Sequence, residues 1–288
     1  MSRCAVFSLL CLAALTSASY AQPSYVNAAL SHELTFSSAS VELAATLHIP
    51  AGKSPFPGVV LIHGSGSSDR SNPWTSAYAS ALVERGVAVV HPDKRGSGES
   101  GGDWREAGFD ELAQDAVAAL DILYTNELID STRVGFVGFS QGGHIAPVAT
   151  IRSSAAFVIN VSGSVVPILE QIGDELRLMG EREGLSKEAL NTVHSLHEHA
   201  ASYALTGQHW RAYSDLLAGA KRGALREADI VKGFPTEPDS DAWEFLRTVG
   251  DFDPMPYSLL LFRNNGHALF REDAMDFIAR WISNGGTD

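Results

Sequence analysis

Ser140 lies in Gly138-Phe139-Ser140-Gln141-Gly142, a serine with glycines two residues before and two after it. A serine hydroxyl is a poor nucleophile at neutral pH and needs a base within hydrogen-bond reach. Histidine is the usual base, because its pKa lies near the working pH. The chain holds 10 histidines. His267 is the best placed, in Asn265-Gly266-His267 directly after the last apolar run of the chain. The alternative is a surface-loop histidine. Acyl-transfer chemistry also needs two backbone N–H groups aimed at the charge that develops on the substrate oxygen. Gln141, the residue after the nucleophile, is one source. Ser65 is the other, in the turn His63-Gly64-Ser65-Gly66, where two glycines let the backbone approach a substrate closely. His63 itself reads as a brace of that turn.

Such a serine works only if the chain presents it. Arg133 to Phe139 is a short run rich in valine and phenylalanine, the pattern of a buried strand, and small and apolar residues follow at helical spacing (Ile145, Ala146, Val148, Ala149). A serine on a tight strand-to-helix turn has its hydroxyl pushed out of the sheet, in a backbone conformation unfavourable for most residues. The glycines on either side avoid collisions with the neighbouring strand and helix. Without that context Gly-x-Ser-x-Gly is an ordinary glycine-rich turn.

The rest of the chain supplies a frame. Residues 33–49 form two partly alternating stretches, an antiparallel hairpin, and Pro50 to Pro57 is a loop. Gly58 to Ile62 is a continuous apolar run bounded by turn residues, which fits a parallel strand buried on both faces. Residues 74–85 and 109–124 read as helices, Val87–Val90 and Ala156–Val161 as strands. Strands alternating with helices predict a parallel sheet with right-handed crossovers. From about 165 to 250 helical segments dominate (168–183, 187–205, 208–221), joined by Gly184, Gly207 and Gly223, with Ser186 as an N-cap. This stretch reads as a helical cap inserted in one domain spanning residues 22–288. Residues 233–241 are a loop, Ser258–Phe262 a last strand, and about 272–281 a last helix.

Residues 1–21 have the pattern of a secretory signal: Arg3, an apolar stretch from Ala5 to Leu15, and Ser19-Tyr20-Ala21 with small residues for cleavage before Gln22. The expected location is secreted or periplasmic, with no stable membrane insertion after its removal. Both cysteines, Cys4 and Cys11, fall inside it, so the mature chain would have no disulfide, thiolate nucleophile or cysteine metal site. The formal charge of −13 lacks the basic footprint of a nucleic-acid binder.

Together these segments resemble a known family. Ser140 in Gly-Phe-Ser-Gln-Gly-Gly, His63-Gly64-Ser65-Gly66, Asp93-Lys94-Arg95-Gly96-Ser97-Gly98 and Asn265-Gly266-His267 occur in the order expected of the α/β-hydrolase superfamily. The chain is most similar to bacterial exported serine esterases related to dienelactone hydrolases and to prolyl-oligopeptidase-type catalytic domains, over residues 30–165 and part of 251–285. The resemblance implies an α/β-hydrolase fold, a mostly parallel sheet with an inserted helical cap. It implies Ser140 as nucleophile, His267 as general base, a small-molecule ester as substrate and no cofactor. A peptidase or amidase on the same machinery is the first alternative.

One part of the family pattern is missing. An Asp or Glu normally follows the strand before the histidine strand, with a helix between them. Here Asp251-Phe-Asp253-Pro-Met-Pro-Tyr257 runs straight into Ser258–Phe262. An acid-bearing strand, its loop and a helix need roughly 30 residues or more. The strand at 156–161 is followed by Ser162-Gly163-Ser164, without an early carboxylate. Asp251 and Asp253 are the nearest acids, with turn or capping roles as the alternative. Loss of a triad acid costs about 10⁴-fold in kcat, roughly 5 kcal/mol, and leaves residual catalysis. A catalytically impaired or non-catalytic relative is therefore the second alternative.

Three further features carry less. His194-x-x-His197-x-His199 does not place three ligands on one helical face and reads as a solvated helix, not a metal site. Asp93-Lys94-Arg95-Gly96 reads as a structured loop near the site rather than an anion clamp. Trp210, Phe234, Trp243 and Phe245 fit packing at least as well as an acyl pocket.

Overall fold

The computed structural model describes residues 28, 30–223, 225–254 and 272–283. The signal-like stretch at 1–21, the apolar run at 258–262 and His267 lie outside the described residues. These residues fall into two compact units, the sheet with its helices and the helices between Val166 and Met255.

The sheet unit has β1 (Leu30–Ser38), β2 (Val41–Ile49), β3 (Phe56–Ile62), β4 (Ala88–Pro92), β5 (Ile129–Phe139) and β6 (Phe157–Val161). The order is β1-β2-β4-β3-β5-β6. β1 pairs antiparallel with β2, and β2 antiparallel with β4. β3, β4, β5 and β6 pair in parallel. The hairpin turns at Ala39, whose φ is 52°. β3 is buried along its whole length, as expected of a central strand with helices on both faces.

Alternate β3 side chains serve opposite layers. Val59 and Leu61 join Tyr78 and Leu82 of α1 (Pro73–Glu84) and Ile282 of the last helix in one buried cluster. On the other face Gly58 lies against Leu123 of α2 (Phe109–Tyr124). α3 (Gly142–Ile151) follows β5 directly and contacts both β5 and β6. α1 starts cleanly because Asn72 accepts a hydrogen bond from the Trp74 N–H and Pro73 needs no amide donor at that position.

The second unit contains α4 (Ile168–Arg182), α5 (Lys187–Thr206), α6 (Trp210–Arg222), a 3-10 turn (Ile230–Gly233) and α7 (Ala242–Val249). Ser186 caps α5 through the Ala189 N–H, and Gly207 ends it in the left-handed conformation. α7 was not foreseen. It is 8 residues long and buries only Trp243, Leu246 and Val249, too short a stripe to stand out between Pro-rich segments. Trp243 packs edge-on against Tyr203, Trp210 and Tyr213. Its indole N–H donates to the Glu237 carbonyl, and Tyr213 donates to the Pro235 carbonyl. α8 (Glu272–Ser283) belongs to the sheet unit.

Leu82 is 0% exposed at the centre of the layer between the sheet, α1 and α8. Leu82→Ala is expected to lower unfolding free energy by about 2–5 kcal/mol with an unchanged denaturant slope, read from urea unfolding curves.

Candidate active site

Ser140 stands between β5 and α3 with φ of 50°, one of four non-glycine residues with positive φ among those described. That conformation costs of order 1–3 kcal/mol and persists only where its surroundings over-determine it. The surroundings are identifiable. The Ser140 N–H donates to the Val161 carbonyl at 2.9 Å, tying the turn to the end of β6. A Cβ on Gly138 would sit 2.1 Å from the Gly142 carbonyl oxygen, and one on Gly142 would sit 2.2 Å from the Ile62 carbonyl oxygen. The backbone passes where no side chain fits.

The register of β3 against β5 pairs Ile62 with Gly138. Both strands then enter turns side by side. A Cβ on Gly64 would meet the Ser140 Cβ at 3.4 Å and its Oγ at 4.0 Å. The Ser65 turn and the Ser140 turn are therefore neighbours. Ser65 is exposed, Ser140 half-buried and Gln141 buried. Neither the Ser65 nor the Gln141 N–H donates to a described residue. α3 begins just after Gln141, so the positive end of its helix dipole falls at the same place. Asn160 secures the far side: its Nδ2 donates to the Gly143 carbonyl, and its Oδ1 accepts from the Gly163 N–H.

His63 braces its turn, as read from the sequence. Its Nε2 lies 2.7 Å from the Pro92 carbonyl, which can only accept, so Nε2 carries the proton. Nδ1 then accepts from Ser68 Oγ at 2.9 Å, and Ser68 Oγ in turn accepts from Asn72 Nδ2. His63 also stacks on His91. Burial lowers its pKa to about 4, against a smaller upward pull from the Pro92 bond, so it is neutral at pH 7.

The loop Asp93–Ser100 is held from three sides. Asp93 accepts from the Arg70 N–H and guanidinium and from the Glu99 N–H. Burial works to raise its pKa, and these bonds outweigh it, so the carboxyl lies below its ordinary value. Arg95 makes a two-point ion pair with Asp115 of α2. Ser100 Oγ links the Asp93 carbonyl to the Ala44 N–H of β2. This is a structured loop, as expected. Lys94, 7% exposed, points inward. Its Nζ donates to the Gly64 carbonyl at 2.9 Å and to Gln141 Oε1 at 2.7 Å, and lies over the Trp104 ring. Burial pulls its pKa down to about 7. Sequence reasoning did not single Lys94 out. The available signal was its place directly after β4, the strand beside β3.

The remaining candidates lie elsewhere. His267 is outside the described residues. Asp251 and Asp253 are exposed beyond the end of α7. His197 Nε2 donates to the Leu169 carbonyl, and His199 Nδ1 bonds the Ser195 carbonyl within α5. Among the described residues no three His, Cys, Asp or Glu side chains are grouped to hold a metal ion. Trp243 and Phe234 belong to the core of the helical unit, with Trp210 and Phe245 packed against it.

Comparison with known proteins agrees with this geometry. Residues 73–178 match the prolyl oligopeptidase family (Peptidase_S9). The chain is 31% identical over 159 residues to esterase EstD of Thermotoga maritima, covering 54% of this chain and 38% of that protein. It is 27% identical over 217 residues to protein YcjY of Escherichia coli, covering 73% and 63%. The chain thus spans less than two thirds of either relative. The solved structure of the alpha/beta hydrolase GrgF from Penicillium sp. sh18 aligns at 16% identity with TM-score 0.47, covering 79% of this chain and 75% of that one. The strand order, the strained serine and its crowded glycines are those of an α/β-hydrolase fold, and the chain is similar to serine hydrolases of that superfamily.

Two outcomes follow. Gly142→Ala is expected to lose at least about 2 kcal/mol of stability in thermal unfolding, because its clash is with backbone, which cannot rotate away. The second concerns acid. Neutral His63 binds its proton less readily in the folded than in the unfolded chain. Its stabilisation is complete above pH 6.5 and is lost as pH falls from there toward 4, about 3 kcal/mol in all. Unfolding free energy measured across that window should fall less steeply in His63→Asn.

Proposed function

We propose that the protein is a serine hydrolase that cleaves carboxylic esters of small molecules, exported by its leader to the periplasm or the exterior. The observation that carries this reading is Ser140, held at φ of 50° on a strand-to-helix turn with Gly64 against it. In the proposed reaction Ser140 Oγ attacks the ester carbonyl while His267 takes its proton. The N–H groups of Ser65 and Gln141 donate to the oxyanion of the tetrahedral intermediate. The intermediate collapses, His267 gives the proton to the departing alcohol, and an acyl group remains on Ser140. Water, activated by the same histidine, then releases the acid. All these steps use the protein's own groups.

The match to the prolyl oligopeptidase family supports a second reading, in which the same machinery cleaves amides. Turnover of short- and long-chain nitrophenyl esters, beside the matching anilides, separates the two. Esters are expected to be the better substrates. Ser140→Ala and His267→Ala should each lower ester turnover by at least about 10⁴-fold. Activity unchanged in both variants would overturn the assignment. A fluorophosphonate should label Ser140, and labelling without turnover would identify an impaired relative.

A further inference from the structure

Lys94 places a buried side-chain nitrogen, partly protonated at neutral pH, between the two turns that supply the proposed oxyanion donors. One of its bonds goes to the Gly64 carbonyl oxygen, which belongs to the same peptide unit as the Ser65 N–H. That peptide is trans, since the cis bond among the described residues is Ser54–Pro55. In a planar trans peptide the C=O and N–H point in opposite directions. A grip on the oxygen therefore sets the direction of the N–H. It also polarises the amide, because a hydrogen bond accepted at the carbonyl strengthens the donor on the same peptide. The second bond goes to Oε1 of Gln141, whose backbone N–H is the other donor.

We propose that Lys94 is the positioning residue of the oxyanion site: its ammonium joins the Gly64–Ser65 peptide and Gln141 into one bonded unit and polarises the Ser65 N–H. The proposal rests on the serine-hydrolase reading above. Lys94 touches no substrate atom and acts through the two amides. Its own placement is rigid. The Lys94 N–H donates to the Ser68 carbonyl and its carbonyl accepts from the Ser97 N–H. Its neighbours Asp93 and Arg95 are pinned by Arg70 and Asp115. The groups around the ammonium are Gly64, Gln141 and the Trp104 ring, so its charge is directed at these amides and not neutralised by a bonded carboxylate.

The role differs from packing in what it predicts. Lys94→Met keeps an unbranched side chain of similar bulk and removes the charge and both bonds. It should lower kcat for nitrophenyl acetate by about 10²-fold with KM within about threefold, since oxyanion contacts are made in the transition state. The Ki of an aryl trifluoromethyl ketone should rise in parallel. That ligand accepts Ser140 Oγ at its carbonyl carbon, passes the serine proton to His267 and leaves its oxyanion on the same two amides. Lys94→Arg keeps a cation able to reach single acceptors and should recover at least about tenfold in kcat over Lys94→Met. If Lys94→Met does not fold, Lys94→Gln against Lys94→Arg carries the comparison, with Arg expected to be the faster at equal Tm. A kcat and Ki for Lys94→Met within threefold of wild type, or Gln equal to Arg in that fallback, would overturn the role of Lys94 alone. Wild-type protein without Ser140-dependent ester turnover would instead overturn the reading of the site and this role with it.

Discussion

The turn around Ser140 depends on one steric constraint: the backbone at Gly138 and Gly142 is packed too closely for any side chain, Gly142 lying against the Ile62 carbonyl. That closeness brings the end of β3 against the start of α3. It also holds Ser140 in a conformation a free serine avoids. Because β3 and β5 run in parallel with Ile62 beside Gly138, each strand reaches its turn at the same edge of the sheet. The Ser65 turn and the Ser140 turn are adjacent for that reason. The site is thus a consequence of strand register before it is a matter of individual side chains.

A second layer of control is electrostatic. The edge of the sheet holds several titratable groups, and three of them, His63, Asp93 and Arg95, are each held in one state. His63 is kept neutral by burial, with the tautomer set by the Pro92 carbonyl and Ser68. Asp93 is kept ionised by Arg70 and backbone amides. Arg95 is matched by Asp115. Lys94 differs from these, because its partners are a backbone carbonyl and an amide side chain. When protonated, an amine bonded only to neutral oxygens in a low-dielectric place keeps much of its field, and on the proposed role that field falls on the peptides beside Ser140.

Most of the sheet was readable along the chain, because each segment carries its own physical pattern. The unbroken apolar run at 58–62 became the fully buried β3, and the glycine-flanked serine became the strained turn. The hairpin, the strand at 157–161 and the long helices of the second unit also matched. Boundaries shifted where the pattern was silent: β5 begins at Ile129, through the polar residues 130–133. α7 was missed, since 8 residues give barely two turns and its Trp243 reads equally well as a pocket aromatic. Its burial against Trp210 and the two tyrosines is a fact of packing between segments far apart in sequence.

Residue types and spacing along the chain were enough to place the tight turn at Ser140, the glycine turn at 63–66 and the alternation of strands and helices. Each is a local property of sterics or periodicity. Folding in three dimensions was needed to show that Gly64 abuts Ser140, that His63 is a neutral brace, and that Lys94 reaches Gly64 and Gln141. Those depend on register between strands and on burial, which change the state and partners of a side chain without leaving a mark in its immediate sequence.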